Sequence, residues 1–199
     1  MSKKTKNIWD SYDFLELWQE KLFLGQEFLT WLWLSSEVDN RFSLNKGQFE
    51  VEVWFEKTLK LESGQGDSLH SVTCQLSNEP TTLEWAEAFI SVINHNKVNS
   101  GRLKIKTPER EWSMTLSGHT LAPKSVKLTA GANFSSEGGD LSLTGQLLDR
   151  VASFAELNTV LEALFTLFIE LRLSKAWEED ELPRLRSWVL KWAEQARGQ

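Results

Sequence analysis

The sequence predicts an α+β fold: a mostly antiparallel sheet of about five to six strands, packed with N-terminal and C-terminal helices. Three observations lead there. Residues 49–55 alternate apolar and polar side chains, the period-two signature of a strand with one buried face. From Leu147 to Phe168 large side chains recur at spacings of 4, 3, 4, 3, 4, 3, a helical period. The helical and strand-like stretches also come in runs rather than in alternating βα units, which argues against a parallel sheet. A chain of 199 residues is one ordinary domain in size. Residues 1–40 form an N-terminal helical segment packing on the core, 41–130 the sheet with one inserted helix, and 140–199 the C-terminal helices, together one compact domain.

Residues 1–7 are polar. From Ile8 to Ser36 the pattern is helical and dense in aromatic residues, with Gly25 as an interruption and a short helix over Gln26–Ser36. That helix is apolar around most of its circumference and therefore buried or covered. Phe49, Val51, Val53 and Phe55 then face inward against Glu50, Glu52, Trp54 and Glu56, and Leu59 and Leu61 continue the alternation. A turn at Gly64-Gln65-Gly66-Asp67 leads to a returning strand over Leu69–Leu76, a hairpin. Thr82–Asn96 reads as the inserted helix. Three more short strands follow around Leu103 and Ile105, around Trp112, Met114 and Leu116, and around Val126 and Leu128. The Gly- and Ser-rich stretch Ala130–Asp140 is the candidate linker.

The C-terminal part is helical. Leu147, Val151, Phe154, Asn158, Leu161, Phe165 and Phe168 make a coiled-coil-like seam with one polar member, and Leu148, Leu157, Val160, Leu164, Leu167 and Leu171 cover a second face. A helix this apolar is expected to be sandwiched. The last helix is expected to start near Pro183, after the acidic run Glu178-Glu179-Asp180-Glu181, with Leu185, Trp188, Val189 and Trp192 on its inner face.

Composition narrows the function classes. No uncharged apolar run reaches the roughly 18 residues of a bilayer-crossing helix, and the basic N-terminus is not followed by an apolar stretch or cleavage site. One cysteine, Cys74, excludes an intrachain disulfide. A cytoplasmic protein without membrane contact is the expectation. The net charge is −6. The middle, residues 41–130, is nearly neutral with eleven basic and ten acidic groups, while residues 1–40 (four and seven) and 140–199 (seven and ten) are acidic. Nucleic-acid binders draw most of their affinity from phosphate neutralisation, so any DNA contact has to come from a local basic strip or a shared surface.

Catalytic signals are poor. Phosphate-loop, dinucleotide and zinc-protease motifs are absent. The three histidines, His70, His95 and His119, stand at no metal-ligand spacing, and nothing near Cys74 would activate its thiol. Glu50 and Glu52 could hold magnesium in a nuclease, but the plainer reading is a solvated strand face. No enzymatic activity, cofactor or metal is expected. Arg102, Lys104 and Lys106 line one strand face, with Lys124 and Lys127 extending the strip; this is the candidate nucleic-acid surface. The plainer alternative is cross-strand pairing with acids. The ten tryptophans are mostly core. Trp31, Trp33 and Trp54 are candidates for a partner interface, because tryptophan concentrates there.

The string Leu24-Gly25-Gln26-Glu27-Phe28-Leu29-Thr30-Trp31-Leu32-Trp33, followed by Ser36-Glu37, resembles one associated with the bacterial recombination-associated RdgC-like family. Val53-Trp54-Phe55-Glu56, Arg110-Glu111-Trp112-Ser113 and Leu182-Pro183-Arg184-Leu185-Arg186 add to the resemblance, which spans most of residues 22–190. It implies a non-enzymatic, nucleoid-associated, α+β protein of a short or companion form. Such a protein binds double-stranded DNA without sequence preference and modulates recombination, as an oligomer or with a longer RdgC-type partner. The alternative class is a protein-interaction or scaffold subunit with no direct nucleic-acid contact. The acidic balance and the seam in residues 147–168 motivate it.

Overall fold

The computed structural model describes residues 23–63, 71–75, 96–129 and 143–197. It is an α+β fold: among the described residues, a six-stranded antiparallel sheet with three α-helices. The helices are α1 (Phe23–Val38), α2 (Leu143–Arg172) and α3 (Leu182–Arg197). The strands are β1 (Arg41–Leu44), β2 (Phe49–Ser63), β3 (Ser71–Gln75), β4 (Asn96–Lys106), β5 (Glu111–Ser117) and β6 (Pro123–Thr129). Residues 82–95 of the expected inserted helix, the Gly64–Asp67 turn, the 130–140 linker, the segment before Phe23, and His70 lie outside the described residues, while Asn96, expected to end that helix, instead opens β4.

The sheet order is β1-β2-β4-β5-β6, with β3 also on β2. The 15-residue β2 organises it. One of its flanks pairs β4 along most of its length, while β1 and β3 pair with its two ends. β1 is a strand that sequence reading passed over: its four residues carry only Phe42 and Leu44 as apolar signal, though both are buried. A tight turn joins it to β2 through Asn45, Lys46 and Gly47, all at positive φ (48°, 58° and 87°), and glycine makes the last of these inexpensive.

The inward sheet face carries Val51, Val53, Leu59, Leu61, Leu103, Ile105, Trp112, Met114 and Leu116, all buried. Against it lies α1, buried all round from Phe28 to Ser36. On the side away from the sheet, α1 meets the other helices: Phe28 packs edge-on to Phe165 at 5.3 Å, Trp31 lies 5.4 Å from Phe168, and Trp31 Nε1 donates to Glu181 at 2.9 Å. The expected burial of this helix is met, but Gly25 does not interrupt it. It lies in the first turn, where its backbone touches Gly118. Pro183 stands in the first turn of α3 as expected, and the acidic run before it forms a π-helical turn, Trp177–Glu181.

α1 also holds a half-buried acid, Glu37. Burial pushes the Glu37 carboxyl up to about 7, against a hydrogen bond from the Trp33 side chain that pulls it down. Its folded-state pKa therefore exceeds its unfolded value of 4.5, and the folded chain holds this proton longer than the unfolded one. Stability falls as pH climbs through that window and stays lower above it. Glu37→Gln is expected to stabilise the protein at pH 8 by on the order of 2 kcal/mol and to change little at pH 4.5. Urea titrations of both proteins at the two pH values check this; an equal gain at both would contradict it.

Candidate interaction surface

Two surfaces stand out: the outward face of the sheet, and the free flank of α2. Strand alternation places Arg102, Lys104 and Lys106 on the outward face, opposite Glu56, Trp54 and Glu52 in register. Lys124 and Lys127 stand opposite Thr115 and Ser113 on the same face, so all five cations of the expected strip are brought together. The strip is not free of acids, however. Arg102 Nε lies 3.2 Å and Lys104 Nζ 3.3 Å from the Glu56 carboxylate, and Lys104 also reaches Glu111 at 3.5 Å. Lys106 is 3.7 Å from Glu52, and the Ser113 hydroxyl donates to Glu56 at 3.1 Å. The Glu56 hydrogen bond and charge, followed in weight by Glu111, raise the Lys104 pKa. Of these five cations, Lys124 and Lys127, both exposed, are the two without an ion pair among the described residues.

Sequence reading saw the cations and the acids but not which meets which. That assignment is the β2–β4 register, and it is set by core residues on the other face.

Of the three tryptophans proposed for a partner interface, two are not at a surface. Trp31 is 4% exposed and Trp33 0%. Trp31 is held by Glu181, by Phe42 at 5.7 Å and by Phe168, so its aromatic mass serves the core. Only Trp54 is partly exposed, amid the ion pairs of the sheet face. Glu50 is exposed and Glu52 is paired to Lys106; among the described residues no three His, Cys, Asp or Glu side chains cluster to hold a metal.

The second surface is on α2, and here the expectation of a sandwiched helix needs correction. Its core face is Ser153, Leu157, Val160, Leu164 and Phe168, all buried. Its N-terminal half is clamped to the sheet: Trp112 Nε1 donates to Ser153 Oγ at 2.8 Å, and Arg110 pairs with Asp149 at 2.9 Å and Glu156 at 3.0 Å. Yet Leu147, Val151 and Phe154 on the seam are 61%, 58% and 49% exposed, and Leu148 beside them 63%. Leu161 and Phe165 are half-buried and Phe168 fully buried. The cause is helical geometry. A seam repeating every 3.5 residues drifts about 20° per heptad around a straight helix of 3.6 residues per turn. The same seam therefore starts in solvent and ends in the core.

By length and composition Leu147–Arg172 also meets the requirement for crossing a membrane, a possibility that counting only uncharged runs had excluded. Its placement here differs from a lipid-facing helix: one face lies in the core, and Asp149 and Glu156 are ion-paired to Arg110.

The chain matches no family model, no curated protein and no solved structure. The RdgC-like resemblance thus rests on the quoted sequence strings alone.

Proposed function

We propose that this chain is a non-catalytic protein-interaction subunit whose docking surface is the exposed N-terminal seam of α2. The observation that carries the reading is four large apolar side chains, Leu147, Leu148, Val151 and Phe154, held outward on a helix clamped to the sheet. Contiguous exposed apolar patches mark interaction sites, and a fixed helix presents one at little cost in ordering. An immobilised full-length chain is expected to retain a protein partner, a second copy of itself included, that the Val151→Glu, Phe154→Glu variant does not retain. Retention of the same proteins by both baits, or by neither, would remove this reading.

Duplex DNA binding through Arg102, Lys104 and Lys106 is supported less well, because each already faces a carboxylate and would have to exchange it for phosphate. The parent chain is expected to show no salt-sensitive binding to duplex DNA. A Glu52→Gln, Glu56→Gln, Glu111→Gln variant, which frees the three cations, is expected to gain it, with affinity falling as salt rises from 50 to about 200 mM. Salt-sensitive binding by the parent in the same filter assay would restore the nucleic-acid reading.

A further inference from the structure

We infer that the partner on the α2 seam is a second copy of this chain, docked with the two helices parallel and in register. This rests on the docking surface proposed above and names its occupant. In heptad terms Leu147 and Phe154 take d positions, and Val151 and Asn158 take a positions. The exposed stretch is therefore a short a/d seam that a like helix can fill knob-into-hole.

Three features select a parallel second copy. The first is Asn158, exposed at the inner end of the open seam. An amide both donates and accepts, so at an a position its best counterpart is the same amide on a helix running the same way; a single asparagine at an a position is a register device in paired helices. The second is the position of the protein's bulk. Of the g positions Leu157 and Leu164 are buried under the chain's own sheet and helices and Arg150, at the seam's outer end, is exposed, whereas Leu148, Ala155 and Glu162, at e positions, are all exposed. Antiparallel helices bring g against g, which would drive the two bodies onto one side. Parallel helices bring g against e, so each body lies on the opposite side and flanks the other copy's open e face.

The third is extent. The seam and e-face residues of two copies would cover on the order of 1,000 Å² in total, near the lower bound for a specific interface, which fits a weak dimer. No charged residue occupies the seam itself between Leu147 and Asn158 to select a partner of opposite sign. Two copies each of net charge −6 repel at long range, so salt should favour their association.

Sedimentation equilibrium of the full chain over roughly micromolar to several-hundred-micromolar loading tests this, at low and high salt. The apparent mass is expected to rise from 22.9 kDa towards twice that value, further at high salt. Val151→Glu, Phe154→Glu is expected to stay at the monomer mass with an unchanged circular-dichroism spectrum. Orientation is read from Leu147→Cys in a Cys74→Ser background with a short bis-maleimide. Parallel packing places the two thiols side by side, whereas antiparallel packing of the exposed seam would hold them roughly 16 Å apart along the axis.

A cross-linked dimer supports the inference. A monomer at every concentration overturns it, and so does a dimer that fails to cross-link. A monomer that binds neutral phosphatidylcholine vesicles through the same residues replaces the second copy with lipid. A monomer whose native seam retains a different protein overturns the self-pairing while leaving the docking surface in place. If it retains nothing, both readings fall.

Discussion

Replacing Arg172 with methionine is expected to destabilise the protein by about 3 kcal/mol or more, since removing one partner of a buried ion pair leaves the other charge uncompensated. Arg172 Nε lies 3.0 Å from Glu27, with both side chains less than a fifth exposed, and its guanidinium stands 5.0 Å over the Trp177 ring. It thereby ties the last turn of α2 to the first turns of α1 and to the π-helical turn. Burial outweighs Arg172 in its effect on Glu27, leaving that carboxyl above its usual range even with its partner present. Without Arg172 the acid must take up a proton or draw in water.

The sign follows. Arg172 lowers the Glu27 pKa by its charge and hydrogen bond, so without it the folded carboxyl holds its proton still more tightly, and the loss in Arg172→Met should deepen as pH rises above 4.5. A Glu27→Gln, Arg172→Met double variant is expected to recover much of the loss, because replacing a buried pair by groups of similar shape is often nearly neutral. Chemical denaturation of the parent, both single variants and the double variant at pH 5 and pH 8 measures the coupling. Additive effects would show that the pair does not act as a unit.

Gly25→Ala is expected to cost about 3 kcal/mol, at the upper end of overpacking effects. Adding Ala to a helix normally helps by a few tenths to about 1 kcal/mol over glycine, so the prediction runs against propensity. A Cβ at position 25 would come within 2.1 Å of the Gly118 carbonyl oxygen, with Leu121 3.3 Å away on the same side. The Gly118 carbonyl oxygen and carbon, the two nearest obstacles, are backbone and cannot swing aside, whereas Leu121 meets the Cβ with a side-chain methyl. Gly118 is itself fixed by an N–H bond to Asn99 at 2.6 Å. Gly118→Ala should cost less, because its closest obstacle is the Gln26 side chain at 2.9 Å and the backbone obstacles, the Val98 oxygen and Gln26 Cα, stand 3.0 and 3.1 Å away. Thermal melts of the two variants order the effects; a Gly25→Ala protein as stable as the parent would mean that α1 can slide along the sheet.

These cases show what the sequence carried and what it did not. Alternation over Phe49–Phe55 identified β2 because each apolar residue there does face the core. The 28–36 helix was legible as buried because it has no polar flank to leave in water. Gly25 read as a break because sequence shows a missing side chain but not the neighbouring carbonyl that requires it to be missing. Trp31 and Trp33 looked like interface residues because indoles suit either setting; what decided Trp31 was Glu181, 150 positions away along the chain. Arg102, Lys104 and Lys106 read correctly as sharing a face, but cross-strand register is a non-local property. The α2 seam was visible as a spacing, whereas the place where it leaves the core follows from a straight helix meeting a sheet of finite width.

One further consequence lies in β2. Its flank away from β4 is paired with β1 over Phe49–Glu52 and with β3 over Thr58–Glu62, yet the two short strands do not meet. Val53 N–H still donates to the Asn40 carbonyl at 2.8 Å, but over 54–57, among the described residues, the ladder partner is β4 alone, and the β4 register also slips after Glu56. A central strand is thus an edge over one short stretch. In native-state deuterium labelling the amides of 54–57 that point away from β4 should exchange well before those that bond to β1 or β3, marking a weak link in the middle of the longest strand.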